Sequence, residues 1–500
     1  MVYSHAFVER SLSIVDEEDS FARDIGPEEP IDVTFNTNLD LIAMVGCAGA
    51  VKRILIFVQC VDNPLPGLRE VIQRMGAVAS KWRVVDLEVE VYSSRFRDEN
   101  PDVDVSEYID DVAEVADALA ALMPGVRHLY CAGYLSNQLV SSLNEHLVRN
   151  YAGQLQRLTS PRPISMLPER QLARLQHVSI DFKFEDEYRL PRMASGELIS
   201  VSLDKAPCNH SWAAFSTNRE SQVIEFAKLR KLDVVYLGLY EVGGVAVHHR
   251  DRHPWELRFP SLESLSIQNT RGICPLLEYA VLPPRMESIS IEMSWVAFQQ
   301  FAHVELPKTE NISLGIARSS AGNPSGLAVI NHLLKNADDG QSLELSIGDD
   351  RLPVALETIT SRALTHLAIL GPVSVDTMFA FIEQMPRLTE LALHNISLSD
   401  IQIDTSIPEA DDDAIVEPLS KSLRILSIKY SDEGYVSDTA VAVAKCVLLR
   451  IPTLVELYAA QTRFHPLLAF VKAYKARHPH LGGVEMKAHV RRIAEPVLAF

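Results

Sequence analysis

The chain has 500 residues, of which 47% are hydrophobic and 23% charged, the balance of a folded protein. Its formal charge of −19 argues against nucleic acid or an anionic membrane as an electrostatic partner. No apolar run reaches the roughly 18 residues of a membrane span, and an acidic start (Glu9, Asp16, Glu17, Glu18, Asp19) is neither a secretion signal nor a transit peptide.

In residues 1–50 the alternation Ile31-Asp32-Val33-Thr34-Phe35 predicts a strand, and the stretch from Leu39 to Val45 predicts a short buried helix. Together they read as an N-terminal capping segment, 1–50, ahead of a repetitive body spanning 51–500. From Val51 onward one frame returns, with apolar residues at relative positions 1, 4 and 6. Its first positions are Val51, Val84, Val126, Leu175, Leu198, Val234, Leu262, Met286, Thr309, Ser342, Leu364, Leu388, Leu423, Leu454 and Leu481. The clearest instance is Leu388-Thr389-Glu390-Leu391-Ala392-Leu393. Positions 4 and 6 fall on one face of a short strand because side chains alternate every two residues.

Proline supports the frame from outside the apolar pattern. It stands two residues before position 1 at Pro124, Pro260, Pro284, Pro307, Pro386, Pro452 and Pro479, where chance places fewer than one of the 27 prolines. Proline there stops a helix and starts an extended segment. Steps between frames run from 22 to 49 residues, several near the roughly 20–29 of a leucine-rich repeat. The 49-residue step after Val126 predicts a degenerate repeat around Leu155 and Leu158.

Helices are expected between the strands. Ser106 is a candidate N-cap, with Ile109, Val112, Ala116, Leu119 and Leu122 on one face before Pro124 ends the helix. Asp376 opens another, with Phe379, Ile382 and Met385 inward. Pro466 fits the first position of a third, ahead of Leu467, Phe470, Val471 and Tyr474. The acidic stretch 407–418 is an insertion, read as a solvated loop. The fold class this predicts is α/β: a leucine-rich-repeat-like solenoid, or horseshoe, with a parallel concave sheet and convex helices.

No catalytic signature accompanies this architecture. His249-Arg250-Asp251 echoes a kinase catalytic loop without the glycine-rich loop or Asp-Phe-Gly. His248, His249 and His253 lack a metal-ligand set. The acids Asp102, Asp104, Glu107, Asp110 and Asp111 lack the glycine and glutamate of a calcium loop. Six scattered cysteines without a C-x-x-C pair predict reduced thiols, and hence a cytoplasmic or nuclear protein. No cofactor, metal or catalytic residue is expected.

What remains is surface. Positions 3, 5 and 7 face away from the core. They carry Asp86, Glu88 and Glu90 on one strand and Tyr130 on the next, then Asp181 and Asp204, and finally Tyr236 and Tyr240. Stacked carboxylates on a sheet face are mildly destabilising, and aromatics dominate binding hot spots. These eight residues are therefore the candidate docking surface for a basic protein partner. Short residues at position 5, including Ser266, Ser290, Ser313 and Ser346, leave a shallow floor.

The segment from Leu388 to Glu409, continuing through Glu417-Pro418 to Leu423-Arg424-Ile425-Leu426-Ser427-Ile428, resembles a set of fungal leucine-rich-repeat proteins, some of F-box type. The repeats as a whole look like the F-box/leucine-rich-repeat class. That resemblance implies substrate recruitment by the repeats and a Skp-type adaptor bound by an N-terminal helix trio. Residues 1–50 carry no Leu-Pro-x-Glu motif, so adaptor binding is not expected there. The resulting expectation is a non-catalytic protein-interaction scaffold, recruiting a substrate for a cullin-type ubiquitin ligase. The second expectation is a regulatory leucine-rich-repeat protein of another pathway, such as a small-GTPase regulator.

Overall fold

The computed structural model describes residues 12–15, 65–93, 108–132, 137–160, 174–181, 195–206, 223–236, 256–269, 280–294, 307–317, 342–347, 364–397, 418–430 and 485–488. It also describes residue 472 and parts of 42–60 and 447–459. The chain forms two compact units. One comprises Met1–Val235, His248–Leu262 and Tyr279–Val281, and the other comprises Tyr236–Val247, Glu263–Glu278 and Leu282–Phe500.

The first stretch contains β1 (Leu12–Val15), β2 (Arg53–Cys60), α1 (Leu65–Val78), β3 (Asp86–Ser93) and α2 (Ile109–Leu122). It continues with β4 (His128–Ala132), α3 (Asn137–Tyr151), β5 (Arg157–Ser160), β6 (His177–Asp181) and β7 (Ser200–Ala206). The middle holds β8 (Val223–Glu225), β9 (Lys231–Tyr236), β10 (Glu256–Arg258), β11 (Ser264–Asn269) and β12 (Ala280–Val281). Then follow β13 (Arg285–Ser294), β14 (Lys308–Ala317), β15 (Ser342–Ile347), β16 (His366–Ser374) and α4 (Val375–Gln384). The last are β17 (Glu390–Ser397), β18 (Ile425–Tyr430), β19 (Glu456–Ala459) and β20 (Glu485–Ala488).

In each unit the frame strands pair in parallel with their sequence neighbours, so the class is α/β built on parallel sheet. In the first unit β1 to β7 pair in succession. In the second, β11 pairs β13, and β13 to β20 follow in order. Position 4 meets position 4: Ile54 lies opposite Leu87, Leu87 opposite Leu129, Leu265 opposite Ile289, and Leu391 opposite Leu426. All of these are at most 1% exposed.

Backbone bonding at the strand entrances is equally regular. The N–H groups of positions 2 and 3 both donate to the position 2 carbonyl of the previous strand. Ile199 and Ser200 thus reach Gln176 O at 2.7 and 3.1 Å, and Arg424 and Ile425 reach Thr389 O at 2.8 and 3.0 Å.

That bonding corrects three sequence frames. Arg230 and Lys231 donate to Ile199 O, so the repeat assigned to Val234 begins at Leu229, with Leu232 and Val234 at positions 4 and 6. Ile312 faces Leu343, and Leu314 faces Leu345, so the repeat assigned to Ser342 slides by two residues, with Leu343 and Leu345 at positions 4 and 6. Leu457 faces Met486, which moves Met486 from position 6 to position 4 of the last frame. A two-residue slip leaves every side chain on the same face, so hydrophobicity alone could not choose between Leu343/Leu345 and Leu345/Ile347; only the neighbouring strand does. Thr309 remains at position 1, buried, and its hydroxyl donates to Pro307 O at 2.9 Å.

The degenerate repeat is β5, with Leu155 and Leu158 buried at positions 1 and 4. Its sixth position is Ser160, 1% exposed, whose hydroxyl accepts from the Asn144 amide of α3. A polar residue paired inside the core had broken the apolar pattern. Strand β1 was not anticipated: Leu12 and Ile14 pair with Ile56 and Val58. Ile31–Phe35 lies outside the described residues. Of the helix expected over Leu39–Val45, Ile42–Met44 is helical, with Ile42 buried and Met44 76% exposed.

α2 forms as expected, with Val112, Ala116 and Leu119 buried, but its N-cap is Tyr108, which makes no side-chain cap bond. Ser106 lies outside the described residues. Arg69 of α1 meets Asp111 at 2.9 Å and Glu114 at 3.1 Å on α2, while Asn150 of α3 donates to Asp117 at 2.9 Å. In α4 the buried stripe is Met378, Phe381, Ile382 and Met385, at i, i+3, i+4 and i+7, and Phe379 is only half-buried. Of the third expected helix only Lys472 is described, and it is helical.

Part of the first unit uses strands where helices were expected. β8, β10 and β12 form a separate parallel sheet with Ile224 opposite Leu257 and Leu257 opposite Ala280. Phe226 and Phe259 follow β8 and β10 and stack with ring centroids 5.0 Å apart, both fully buried. Each begins a turn closed onto position 1, Leu229 N–H to Phe226 O and Leu262 N–H to Phe259 O. Before Leu423 the serine hydroxyl of Ser420 substitutes for that carbonyl, accepting the Leu423 N–H at 3.0 Å.

Ser160→Val leaves the Asn144 amide buried without its partner, an expected cost of about 1–3 kcal/mol in urea unfolding. Adding Asn144→Leu removes the orphaned group and should recover most of that loss. Equal loss in the single and double variants would contradict the pairing.

Candidate functional site

The register of β2 to β7 lines up the odd positions as rows. Row 3 reads Arg53, Asp86, His128, Arg157, His177 and Ser200. In row 5, Glu88 lies opposite Tyr130, Tyr130 opposite Thr159, and Ser179 opposite Ser202. In row 7, Glu90 lies opposite Ala132, and Asp181 opposite Asp204. Rows 3 and 7 are four residues apart, roughly 13 Å along the strands.

Two of the acids singled out from the sequence have partners on the neighbouring strands. Glu88 forms an ion pair with Arg53 at 3.0 Å, and Asp86 meets the His128 ring. The offset to carboxylate stacking comes from within the chain. Reading along single strands hid it, since Arg53 and His128 occupy position 3 of the neighbouring frames, where a reading by rows finds them. Row 7 of this face also carries carboxylates, with Glu90 on β3, Asp181 on β6 and Asp204 on β7.

Tyr130 lies half-buried between the rows. Burial raises its phenol above the ordinary range, and Glu90 and Glu88 push it further the same way. His177 is lowered by burial, then by Arg157 and His128, so it is held toward the neutral form. The corrected frame moves Tyr236 from position 3 to position 8, at the end of β9, and puts Lys231 and Asp233 at positions 3 and 5. Tyr240 lies outside the described residues. The eight candidates thus divide: Asp86, Glu88, Glu90, Tyr130, Asp181 and Asp204 share one sheet face by register, and Tyr236 does not join their rows.

Beneath this face Cys131 is buried, and burial pushes its thiol up to about 12, which keeps it protonated. Among the described residues no group of His, Cys, Asp and Glu is arranged to hold a metal. No described helix is long and apolar enough to cross a membrane.

In the second unit the odd positions of β11, β13 and β14 are mostly short and polar. Ser264 lies opposite Ser288 and accepts its hydroxyl proton at 2.8 Å; Ser266, Ser290 and Ser313 follow in row 5. Ser313 faces Glu344, not Ser346, once the register of β15 is corrected. Glu292 accepts from Gln268 at 3.1 Å and lies across Gly315, where a Cβ would sit 2.9 Å from its Cγ. Burial raises Glu292, the Gln268 bond opposing it, and burial alone raises Glu344.

A second feature of this unit is a half-open groove of about 800 Å³ at the entrances of β16 to β19. Its walls carry His366, Glu390, Lys421 and Arg424, with Ile425 and Val455 as the apolar part. His366 Nε2 lies 3.6 Å from Glu390. The sequence reading passed over this groove, because its residues come from positions 2 and 3 and from the turns before position 1.

No protein-family model and no curated protein matches this chain.

Because the Glu344 carboxyl is raised in the folded state, that state binds its proton more tightly than the unfolded chain does. Its contribution to stability falls as pH rises through the window from the ordinary carboxylate range to the raised value. Glu344→Gln should therefore raise Tm at neutral pH and leave it unchanged well below the carboxylate range. A Tm difference independent of pH would contradict that assignment.

Proposed function

We propose that this chain is a non-catalytic protein-interaction scaffold, its parallel ladders being the strand walls of a leucine-rich-repeat-like solenoid. The observation that carries the reading is the position-for-position pairing of frame strands. It buries positions 4 and 6 and leaves positions 3, 5 and 7 as rows on one sheet face within each unit. Such rows suit a partner surface better than a substrate, since chemistry needs a few convergent groups and these are spread over many strands.

In the first unit row 3 carries Arg157 and Lys231 beside the paired Arg53 and Asp86, and row 7 carries Glu90, Asp181 and Asp204. A partner that presents basic groups to row 7 and acidic groups to row 3 would fit it, with Tyr130 between as the amphipathic anchor. The resemblance to the F-box/leucine-rich-repeat class extends the proposal to substrate recruitment for a cullin-type ubiquitin ligase.

Affinity capture from a eukaryotic lysate with quantitative mass spectrometry tests the pathway. Skp-type and cullin subunits among the captured proteins support substrate recruitment, whereas a small GTPase without them favours a regulator of that class. Glu90→Lys with Asp204→Lys should reduce capture of the main partner about tenfold if it docks on row 7. Full retention by a variant that unfolds at the wild-type temperature would remove this face from the interaction.

A further inference from the structure

We infer that the groove at the entrances of β16 to β19 binds an acidic, extended peptide segment of a partner protein. The inference concerns residues of the second unit alone and stands whichever pathway the chain serves.

The chemistry of the lining selects the ligand. Lys421 and Arg424 are exposed and form no ion pair among the described residues, although the chain as a whole carries −19. Two cations of this kind in an acidic protein attract carboxylates locally while the surroundings repel anions that do not fit. Arg424 supplies a planar fork that matches a carboxylate in two-point geometry, and Lys421 supplies a compact charge. The third basic group, His366, is occupied: its Nδ1 lies 2.8 Å from Thr365 Oγ1, and its Nε2 faces Glu390.

The hydroxyls of the groove are already committed as donors. Thr389 donates to Thr365 O at 2.9 Å, Ser422 to Leu388 O at 2.9 Å, and Thr453 to Leu423 O at 2.8 Å. Each reaches the repeat before it, so its oxygen is left only as an acceptor. A ligand must therefore bring N–H donors for these oxygens as well as negative charge for the cations, and a peptide carries both.

Size and polarity exclude the simpler occupants. A lining that spans four strands, roughly 14 Å across at about 4.8 Å per spacing, exceeds what a single phosphate can bridge. A small-molecule site would be mainly apolar, but here only Ile425 and Val455 are, and Val455 is 44% exposed. No Phe, Tyr or Trp lines the groove to stack a nucleobase.

The test uses the full chain and a fluorescein-labelled octapeptide alternating glutamate and glycine, read by anisotropy at physiological ionic strength. Saturable binding is expected, with Lys421→Glu plus Arg424→Glu weakening it about tenfold or more. Lys81→Glu plus Arg83→Glu, two exposed cations of the first unit that lie outside its strand rows, should leave it unchanged. Lys421→Gln plus Arg424→Gln serves if the charge reversal lowers the unfolding temperature. The inference is overturned by absence of saturable binding, by equal binding of the lysine–glycine octapeptide, or by equal loss in the two charge-reversal variants. Tighter binding of a single-stranded RNA octamer than of the acidic peptide would overturn it too.

Discussion

Parallel pairing between successive frame strands is the constraint from which the remaining features follow. Each strand is too short to be stable alone, and its two inward aliphatics are covered only when the next strand brings its own pair alongside. Ile289 and Ile291 illustrate this: they face Leu265 and Ile267 on one side and Ile312 and Leu314 on the other, and all six are buried. Once position 4 is held against position 4, the odd positions have no choice but to form rows. Both the charged face of the first unit and the serine-rich face of the second are consequences of that alignment.

Three hydroxyls inside this stack are paired locally. Ser160 takes a core position because Asn144 reaches it from α3. Thr309 occupies a first position because Pro307 O accepts its hydroxyl, and Ser420 replaces a carbonyl at the turn into β18. These exceptions share a cause. A hydroxyl is small enough for the aliphatic slot and pairs within its own turn or with an adjoining helix.

How much of this could be read beforehand depends on what set each feature. The repeat and its inward columns were legible, because burial of alternate residues writes directly into composition along the strand. The six prolines from Pro124 to Pro452 marked strand entrances without reference to that pattern. Register in β9, β15 and β20 was not legible, since Leu229-x-x-Leu232-x-Val234 and Val234-x-x-Leu237-x-Leu239 satisfy one template equally. The neighbour's hydrogen bonds decide, and these act between residues some thirty positions apart. The candidate site failed for a related reason. Asp86, Glu88 and Glu90 stand out along the chain, whereas Arg53 and His128, the partners of Glu88 and Asp86, are found only across it. The groove holding Lys421 and Arg424 was hidden by its origin in turns that no periodicity describes.

The register of β14 against β15 is where the account is most exposed, because sequence pattern and strand pairing disagree there by two residues. Mild oxidation of Ser313→Cys/Glu344→Cys, followed by mass spectrometry of the cross-linked peptide, tests it directly. The pairing described here predicts efficient cross-linking in that variant and little in Ser313→Cys/Ser346→Cys. The opposite preference would show that position-for-position alignment does not hold, and with it the rows on which the proposed function rests.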